Sequence, residues 1–237
     1  MERVLQEKIS VIIAAYNEEG AIATTVKSVR AVLPECEIIV VDDGSTDRTF
    51  AKAKQFENAL TRVIRSPENR GKGHAIRYGI EAATGTIMAQ IDADLQFPAE
   101  GLPALIQPIL MRKADIVFGT RYRNNASENK KSVTLLKWLA SHVMAIIISL
   151  ICRQRFTDVF AGLKAWRSDV IRSLNLREDD FTYEAEIAIK AKRMHYKVVE
   201  VHTAYRKREE GRSKIKLFYH TIKISWRILK ISWEKSR

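Results

Sequence analysis

Short apolar runs alternate with stretches of helical spacing along the first half of the chain. "ISVIIAAY" (9–16) is a β-branched run ending at the turn-prone Asn17 and reads as a buried strand. "AIATTVKSVRAVL" (21–33) then sets Ile22, Val26, Val29 and Leu33 on one helical face. The alternation continues with a strand at "EIIVVDD" (37–43), a helix over 47–57 that Ser45, Thr46 or Asp47 can cap, and a strand at "TRVIRS" (61–66). "GHAIRYGIEAATG" (73–85) gives a helix whose Ala75, Gly79, Ala82 and Ala83 permit close packing, and "TIMAQIDAD" (86–94) gives a fourth strand. This alternation predicts an α/β fold with a parallel sheet, helices on both faces, and ligands at the carboxyl ends of the strands.

The second half is less regular. "FPAEGLPALIQPIL" (97–110) predicts a helix with prolines near its ends, and "ADIVFGTRY" (114–122) a strand running into a basic loop, "RNNASENKKS" (123–132). A helix over 133–152, a second near 182–193 and a strand at "YKVVEVHTAY" (196–205) close the globular part. Within the first of these, "VMAIIISLIC" (143–152) falls short of the roughly 20 residues that span a bilayer, so it is a buried core helix or a membrane contact. At the C-terminus "KISW" occurs at 223–226 and again at 230–233, which repeats Ile, Trp and Lys at a near-helical period. A basic amphipathic helix with tryptophans suits a membrane interface, and equally a helix docked on the domain.

Charge sharpens that picture. Of a formal net charge of +12, residues 190–237 hold 15 Lys/Arg against 4 Asp/Glu, so a basic tail follows a nearly neutral body. Such a tail asks for an anionic partner: nucleic acid, anionic lipid or a phosphorylated substrate. Nucleic acid is excluded as the expectation, because no recognition fold is legible and an acidic crevice would repel its phosphates. Cys36 and Cys152 are far apart and form no zinc spacing, and the N-terminus "MERVLQEKIS" has no signal-peptide pattern; a reducing, cytoplasmic compartment is expected. A chain of 237 residues suits one well-buried catalytic domain, assigned to residues 1–214, followed by the basic helix at 215–237.

The chemistry lies in "AQIDADLQFP" (89–98). On an extended chain Asp92, Asp94 and Gln96 would point the same way, and two carboxylates so close need a cation between them. Hard oxygen donors suit Mg²⁺ or Mn²⁺, which complete their shells with water and substrate phosphate. A second acidic pair, Asp42 and Asp43, ends another predicted strand, and Asn17 and Glu18 end the first. Three polar strand ends converging on one crevice describe a nucleotide pocket. "NRGKGHA" is not a P-loop, no G-x-G-x-x-G follows the first strand, and His74 belongs to no Ser/His/Asp set, so it reads as a helix-start or surface residue.

Taken in order, "VIIAAYNEE", "VVDDGSTD", "ENRGKGHAIRYGI", "DADLQFP", "FGTRY", "TDVFAGLKAW" and "YRKREEGRSK" resemble family 2 glycosyltransferases of the GT-A fold, with its mixed, mostly parallel Rossmann-like sheet. Within that family the chain is most similar to dolichyl-phosphate mannosyltransferases and related polyprenyl-phosphate sugar transferases. The resemblance implies an inverting transfer from a nucleotide-sugar donor, mannose from GDP-mannose, to dolichyl or polyprenyl phosphate. The alternative is UDP-glucose or another UDP-sugar as donor, or a saccharide hydroxyl as acceptor. It implies that Tyr16, Glu18, Val41 and Asp43 hold the nucleoside, together with Ala14, where these mannosyltransferases usually have proline. Asp92, Ala93, Asp94 and Gln96 would surround diphosphate and metal, with Asp92, Asp94 and Gln96 as ligands. Arg121, Arg208 and Lys214 would meet phosphates, and Asp94, Arg121 and Arg208 carry the catalytic roles. Gly162 matches the pattern, preceded by Ala161 in place of the usual serine. A lipid phosphate acceptor is already anionic and needs no general base; a hydroxyl acceptor would need one, for which Asp158 and Glu184 are the candidates. A polyprenyl acceptor also implies work at a membrane surface, by peripheral attachment or with a small membrane partner.

Overall fold

The structure, a computed structural model, describes residues 7–122 and 135–206 together with 227, 228, 230, 231 and 233. The polar loop expected at 123–132, Arg208, Lys214 and most of 215–237 lie outside the described residues.

The apolar runs form strands as their composition dictates. The β-branched segments β1 (Ile9–Ala15), β2 (Glu37–Asp42), β3 (Thr61–Arg65) and β4 (Ile87–Asp92) pair in parallel, β2 and β4 flanking β1 and β3 on the outer side of β2. Crossover helices α1 (Ile22–Val32), α2 (Thr49–Lys54) and α3 (Lys72–Ala82) make these connections. β2 is buried at every position, because both faces of the sheet are covered. Strand alternation divides the core: Ile12, Ile39 and Val41 pack with α3 on one face, and Val11, Ile13, Ile38 and Val40 pack with α1 on the other.

Beyond β4 a single 3₁₀ turn leads into α4 (Leu102–Leu110), and β5 (Ile116–Thr120), α5 (Leu135–Cys152), β6 (Lys164–Arg167), α6 (Ser168–Ser173), α7 (Thr182–Arg193) and β7 (Val198–His202) follow. The seven-stranded sheet has the order β3-β2-β1-β4-β6-β5-β7. β6 is antiparallel to both β4 and β5, while β5 and β7 are parallel. The sequence pattern gives no strand at "LKAW", since a four-residue strand containing a buried lysine shows neither alternation nor a long apolar run. α6 is missed for the same want of length.

The expected strand 86–94 also ends early. β4 stops at Asp92, and residues 93–97 turn away from the sheet with Leu95 at φ +60°. The alternation argument that aimed Asp92, Asp94 and Gln96 in one direction is therefore corrected: a turn, not a strand, arranges the last two.

α5 resolves the two readings of its apolar run into two faces. Met144, Ala145, Ile148 and Cys152 are buried in the core, while Leu139, Val143, Ile146 and Leu150 are exposed at spacings of three and four. The C-terminal residues that are described are helical. Ile228 and Ile231 are buried against the core, the Ile231 carbonyl accepts a bond from Arg193 at 2.7 Å, and Trp233 is 88% exposed. One of the two repeated isoleucines thus faces the domain, and the tryptophan two residues on faces outward.

Gly79 makes the α3–sheet contact possible, since a Cβ there would lie 2.4 Å from Cγ2 of the fully buried Ile12 and 3.2 Å from Val41. Valine at 79 gains helix propensity worth only a few tenths of a kcal/mol over glycine, whereas overpacking costs about 1–3 kcal/mol. Gly79→Val is therefore expected to lower the unfolding free energy by about 2 kcal/mol, read as a lower urea midpoint with an unchanged slope.

Candidate active site

The chain reverses its direction of travel across the sheet between β1 and β4, and a crevice opens at the carboxyl ends of strands at such a point. The register places Ala14 directly between Val41 and Asp92 on its two neighbours, so three of the expected residues stand level. Val41 is wholly buried and forms part of the floor, while Ala14, Tyr16 and Glu18 are half-buried at the exit of β1. That exit is fixed by hydrogen bonds rather than by proline. Asn17, at φ +52°, takes Ser45 Oγ on its amide at 2.9 Å, accepts Thr46 N–H on its side chain at 2.8 Å, and Glu18 N–H donates to Thr49 Oγ1 at 2.8 Å.

Asp43 turns inward. It is buried, and its carboxylate accepts the N–H groups of Arg70 at 3.2 Å and Gly71 at 2.7 Å, with His74 Nδ1 3.6 Å away. Its observed task is to hold the turn that leads into α3. His74 is thereby a helix-start residue beside Asp43. Asp42, next to it, is paired with Arg65 at 3.0 Å.

At the end of β4, Thr25 of α1 donates to the Ala93 carbonyl at 3.0 Å and ties the turn down. Gln96 N–H donates to Asp94 Oδ1 at 3.2 Å, and the Gln96 side-chain amide bonds to the Tyr205 hydroxyl. Gly162 permits Asp92 its position, since a Cβ there would come within 2.0 Å of Asp92 Oδ2. One member of that acidic pair, Asp92, already meets a cation of the protein itself. Lys72 Nζ lies 2.8 Å from Asp92 Oδ1 and 3.0 Å from Oδ2, and 2.9 Å from Glu184 Oε1. Burial opposes its charge, but Asp92 and Glu184 outweigh that and hold the ammonium well above the usual lysine range. Burial raises the Asp92 carboxyl; Lys72 pulls it down, and Asp94 and Glu184 push it up again.

Two further side chains lie behind this pair. Lys164, wholly buried, reaches the Ala161 carbonyl and lies 3.4 Å from Glu184 Oε1; burial, opposed by Glu184, lowers it to about 8. Tyr183 Oη bonds Glu184 Oε1 at 3.1 Å and Gln90 Nε2 at 2.9 Å. Lys72, Lys164 and Glu184 were not among the expected site residues, save Glu184 as a base. Only the Gly-Lys-Gly spelling of residues 71–73 signalled that a lysine was being brought close to a backbone.

Arg121 sits across the crevice and is held before any ligand arrives. Its Nε and Nη2 donate to the two oxygens of fully buried Asp158 at 2.6 and 2.8 Å, and its own N–H adds a third bond at 3.1 Å. Glu200 in turn accepts the N–H groups of Thr157 and Asp158. The guanidinium lies over the ring of Tyr205 at 5.1 Å, the same tyrosine that bonds Gln96, so Arg121 and the turn after β4 flank one side chain. Arg206 N–H donates to the Gln96 carbonyl at 2.8 Å, so the chain leaves β7 beside that turn.

The donor set fits a hard divalent cation. Two carboxylates and an amide within five residues are oxygen ligands of the required kind, and among the described residues no group of three His, Cys, Asp or Glu side chains gathers as a metal set. Such a set would leave positions for water and phosphate, as Mg²⁺ and Mn²⁺ commonly keep.

Comparison with solved structures gives the class of fold. Glucosyl-3-phosphoglycerate synthase from Mycobacterium tuberculosis, in complex with Mn²⁺, uridine diphosphate and phosphoglyceric acid, matches with a TM-score of 0.76 at 20% identity, over 98% of this chain and 80% of that one. The fold is that of GT-A glycosyltransferases. The family model for glycosyl transferase family 2 matches residues 10–174, and the chain belongs to that family. It is 32% identical over 232 residues to a dolichol-phosphate mannosyltransferase of Pyrococcus furiosus, covering 96% of this chain and 64% of that protein. It is 28% identical to an undecaprenyl-phosphate mannosyltransferase of Micrococcus luteus, over 88% and 87% of the two chains. The chain thus spans about two thirds of the length of the Pyrococcus relative.

Breaking a buried ion pair from one side leaves an uncompensated charge at a cost of about 3–5 kcal/mol. Asp158→Ala is accordingly expected to lower the unfolding free energy by about 3 kcal/mol, measured by chemical denaturation.

Proposed function

We propose that this glycosyltransferase is an inverting, metal-dependent enzyme that moves a sugar, mannose from GDP-mannose, onto a polyprenyl phosphate at a membrane surface. The observation that carries the reading is the placement of the Asp94–Gln96 turn at the end of β4 opposite the Asp158-bound Arg121, with Tyr205 touching both Gln96 and Arg121. The names of the Pyrococcus and Micrococcus relatives support lipid phosphate as acceptor. The alternative donor is a UDP-sugar, which the uridine diphosphate bound by the Mycobacterium structure supports.

Asp92, Asp94 and Gln96 would hold Mg²⁺ or Mn²⁺. When bound, that ion supplies charge neutralisation for the diphosphate that leaves as the glycosidic bond breaks. Ala14, Tyr16 and Glu18 line the exit of β1 where the nucleoside would lie, with Val41 and Asp43 beneath. Arg121, held rigid by Asp158, offers fixed positive charge to phosphate oxygens at no cost of reorganisation. Arg208 and Lys214 would add to it from the segment that follows Arg206. Asp158 and Glu184 are both fully buried and ion-paired, so neither stands free as a base for a hydroxyl acceptor. An anionic lipid phosphate needs none.

The exposed stripe of α5 supports the membrane part of the reading. Leu150 is 74% exposed, and the exposed Arg153 and Arg155 follow directly, an arrangement that pairs apolar insertion with anionic headgroups. No helix among the described residues is long and apolar enough to cross a membrane. The stripe also lies near Arg121, the proposed phosphate contact: His142, between Leu139 and Val143, packs against Tyr122 with ring centroids 4.7 Å apart and planes tilted by 54°, and Arg121 lies over the same ring at 5.2 Å.

Incubation with Mn²⁺ or Mg²⁺, polyprenyl phosphate and radiolabelled GDP-mannose should carry label into the organic phase. Asp94→Ala and Arg208→Ala are expected to reduce transfer by at least about 100-fold while the thermal midpoint holds. A fully active Asp94→Ala chain removes the metal assignment, and label moved only from a UDP-sugar replaces the donor. For the surface, Ile146→Glu with Leu150→Glu is expected to abolish co-flotation with anionic vesicles. Transfer to a short, water-soluble polyprenyl phosphate should persist; unchanged flotation defeats the assignment of α5.

A further inference from the structure

Lys72 already places a cation on Asp92, the carboxylate that the proposed metal would use. Its ammonium bridges both oxygens of that carboxylate, at 2.8 and 3.0 Å, so a metal ligand is already taken by an internal cation. The placement is built rather than incidental. Gly71 and Gly73 flank the lysine, and a Cβ on either would come within 2.6 Å and 2.2 Å of the backbone carbonyls of Asp179 and Glu178. The start of α3 is therefore pressed against the segment that leads into α7. The ammonium is held from behind by Glu184, which Tyr183 and Lys164 orient on the same oxygen. The Lys72 side chain is 13% accessible.

We propose that Lys72 is a resident counter-ion for Asp92 which a divalent cation must displace, and that this displacement couples metal binding to nucleotide binding. Glu184 is the fixed partner that the ammonium retains throughout. Freed from Asp92, the charge stays within the crevice, where the diphosphate of a bound nucleotide gives it a second anionic partner. Metal alone must give up the Lys72–Asp92 pair with nothing in return. Metal with a nucleoside diphosphate exchanges that pair for another. The two ligands therefore favour one another beyond their direct contact, and the coupling is reciprocal. Loss of Asp92 by itself would leave three charged groups, Lys72, Glu184 and Lys164, unexplained at the back of the site; a counter-ion with a fixed pivot accounts for all three.

This inference rests on the metal-dependent reading above, and the experiment separates the two. Mn²⁺ binding to the full chain is followed by the electron paramagnetic resonance of free Mn²⁺, with and without GDP, and again with UDP. In Lys72→Met, affinity for Mn²⁺ alone is expected to rise by about tenfold, as a charge-assisted hydrogen bond is lost from the competitor. Affinity for GDP or UDP in the presence of Mn²⁺ is expected to fall by a similar factor. Lys72→Gln, which keeps a donor for Glu184 and so protects the fold, should give the same two signs. Thermal unfolding without ligands reports the structural cost separately. If the wild-type chain binds neither Mn²⁺ nor either nucleotide, the functional reading fails. If the wild-type chain binds both, and the variants leave Mn²⁺ affinity unchanged or move both affinities in one direction, the role of Lys72 is overturned.

Discussion

Carboxylates gathered at one end of a parallel sheet repel one another, and the protein must hold them together before any ligand is present. Asp92, Asp94 and Glu184 impose that constraint here, and the ammonium of Lys72 answers it by bridging Asp92 and Glu184. The bridge is costly to build, because a lysine taken out of water loses hydration that only close, well-directed anions restore. Two anions within 3 Å restore it. From this follow the close approach of α3 to residues 178–180, the glycines on either side of Lys72, and the glycine at 162 that leaves room for Asp92. Each is a local departure from the best helix or loop chemistry, and each serves one charge.

The other wall uses the same device with the signs exchanged. Arg121 is the group that faces the crevice, and Asp158 is the buried partner that fixes it, itself fixed by backbone donors and by the loop that Glu200 caps. Burial raises the Glu200 carboxyl, and the N–H groups of Thr157 and Asp158 oppose the rise. A guanidinium held by two bonds to one carboxylate cannot swing away, so its field is aimed in advance. Tyr205 stands between the two walls, bonded to Gln96 of the turn after β4 and covered by the Arg121 guanidinium.

Much of this was legible as pattern. Strand and helix periods in residues 9–92 placed the parallel half of the sheet, and α7 falls at the predicted 182–193, because long periodic segments record burial directly. The acidic strand ends were legible because a charge at the close of a β-branched run has few other uses. What escaped was set by partners distant in sequence. β6 is a strand only because β4 and β5 stand on either side of it, and Lys164 is buried only because Glu184, twenty residues on, receives it. Asp43 has a second partner that its position at a strand end did not announce: the N–H groups of Arg70 and Gly71 bond its carboxylate and hold the turn into α3. Strand alternation failed at Asp94 for a local reason, a turn through Leu95 in the left-handed region, where a non-glycine residue is strained.

The two ion-paired walls bear on which acceptor the crevice suits. A hydroxyl nucleophile would need a carboxylate able to take a proton at the moment of attack. Asp158 is committed to Arg121 and Glu184 to Lys72, and withdrawing either would leave a buried cation without its partner. An acceptor that arrives anionic reverses the requirement: it needs positive charge ahead of it and no base at all. On the proposed reading Arg121 would supply that charge, on the side where Tyr122 meets His142 of α5, the helix whose outer face carries Leu139, Val143, Ile146 and Leu150. A lipid phosphate lying along that face would bring its headgroup to the guanidinium while its chain stayed on apolar surface. On the proposed reading, the same helix that finds the membrane delivers the nucleophile, and the buried acids serve only to keep the cations in place.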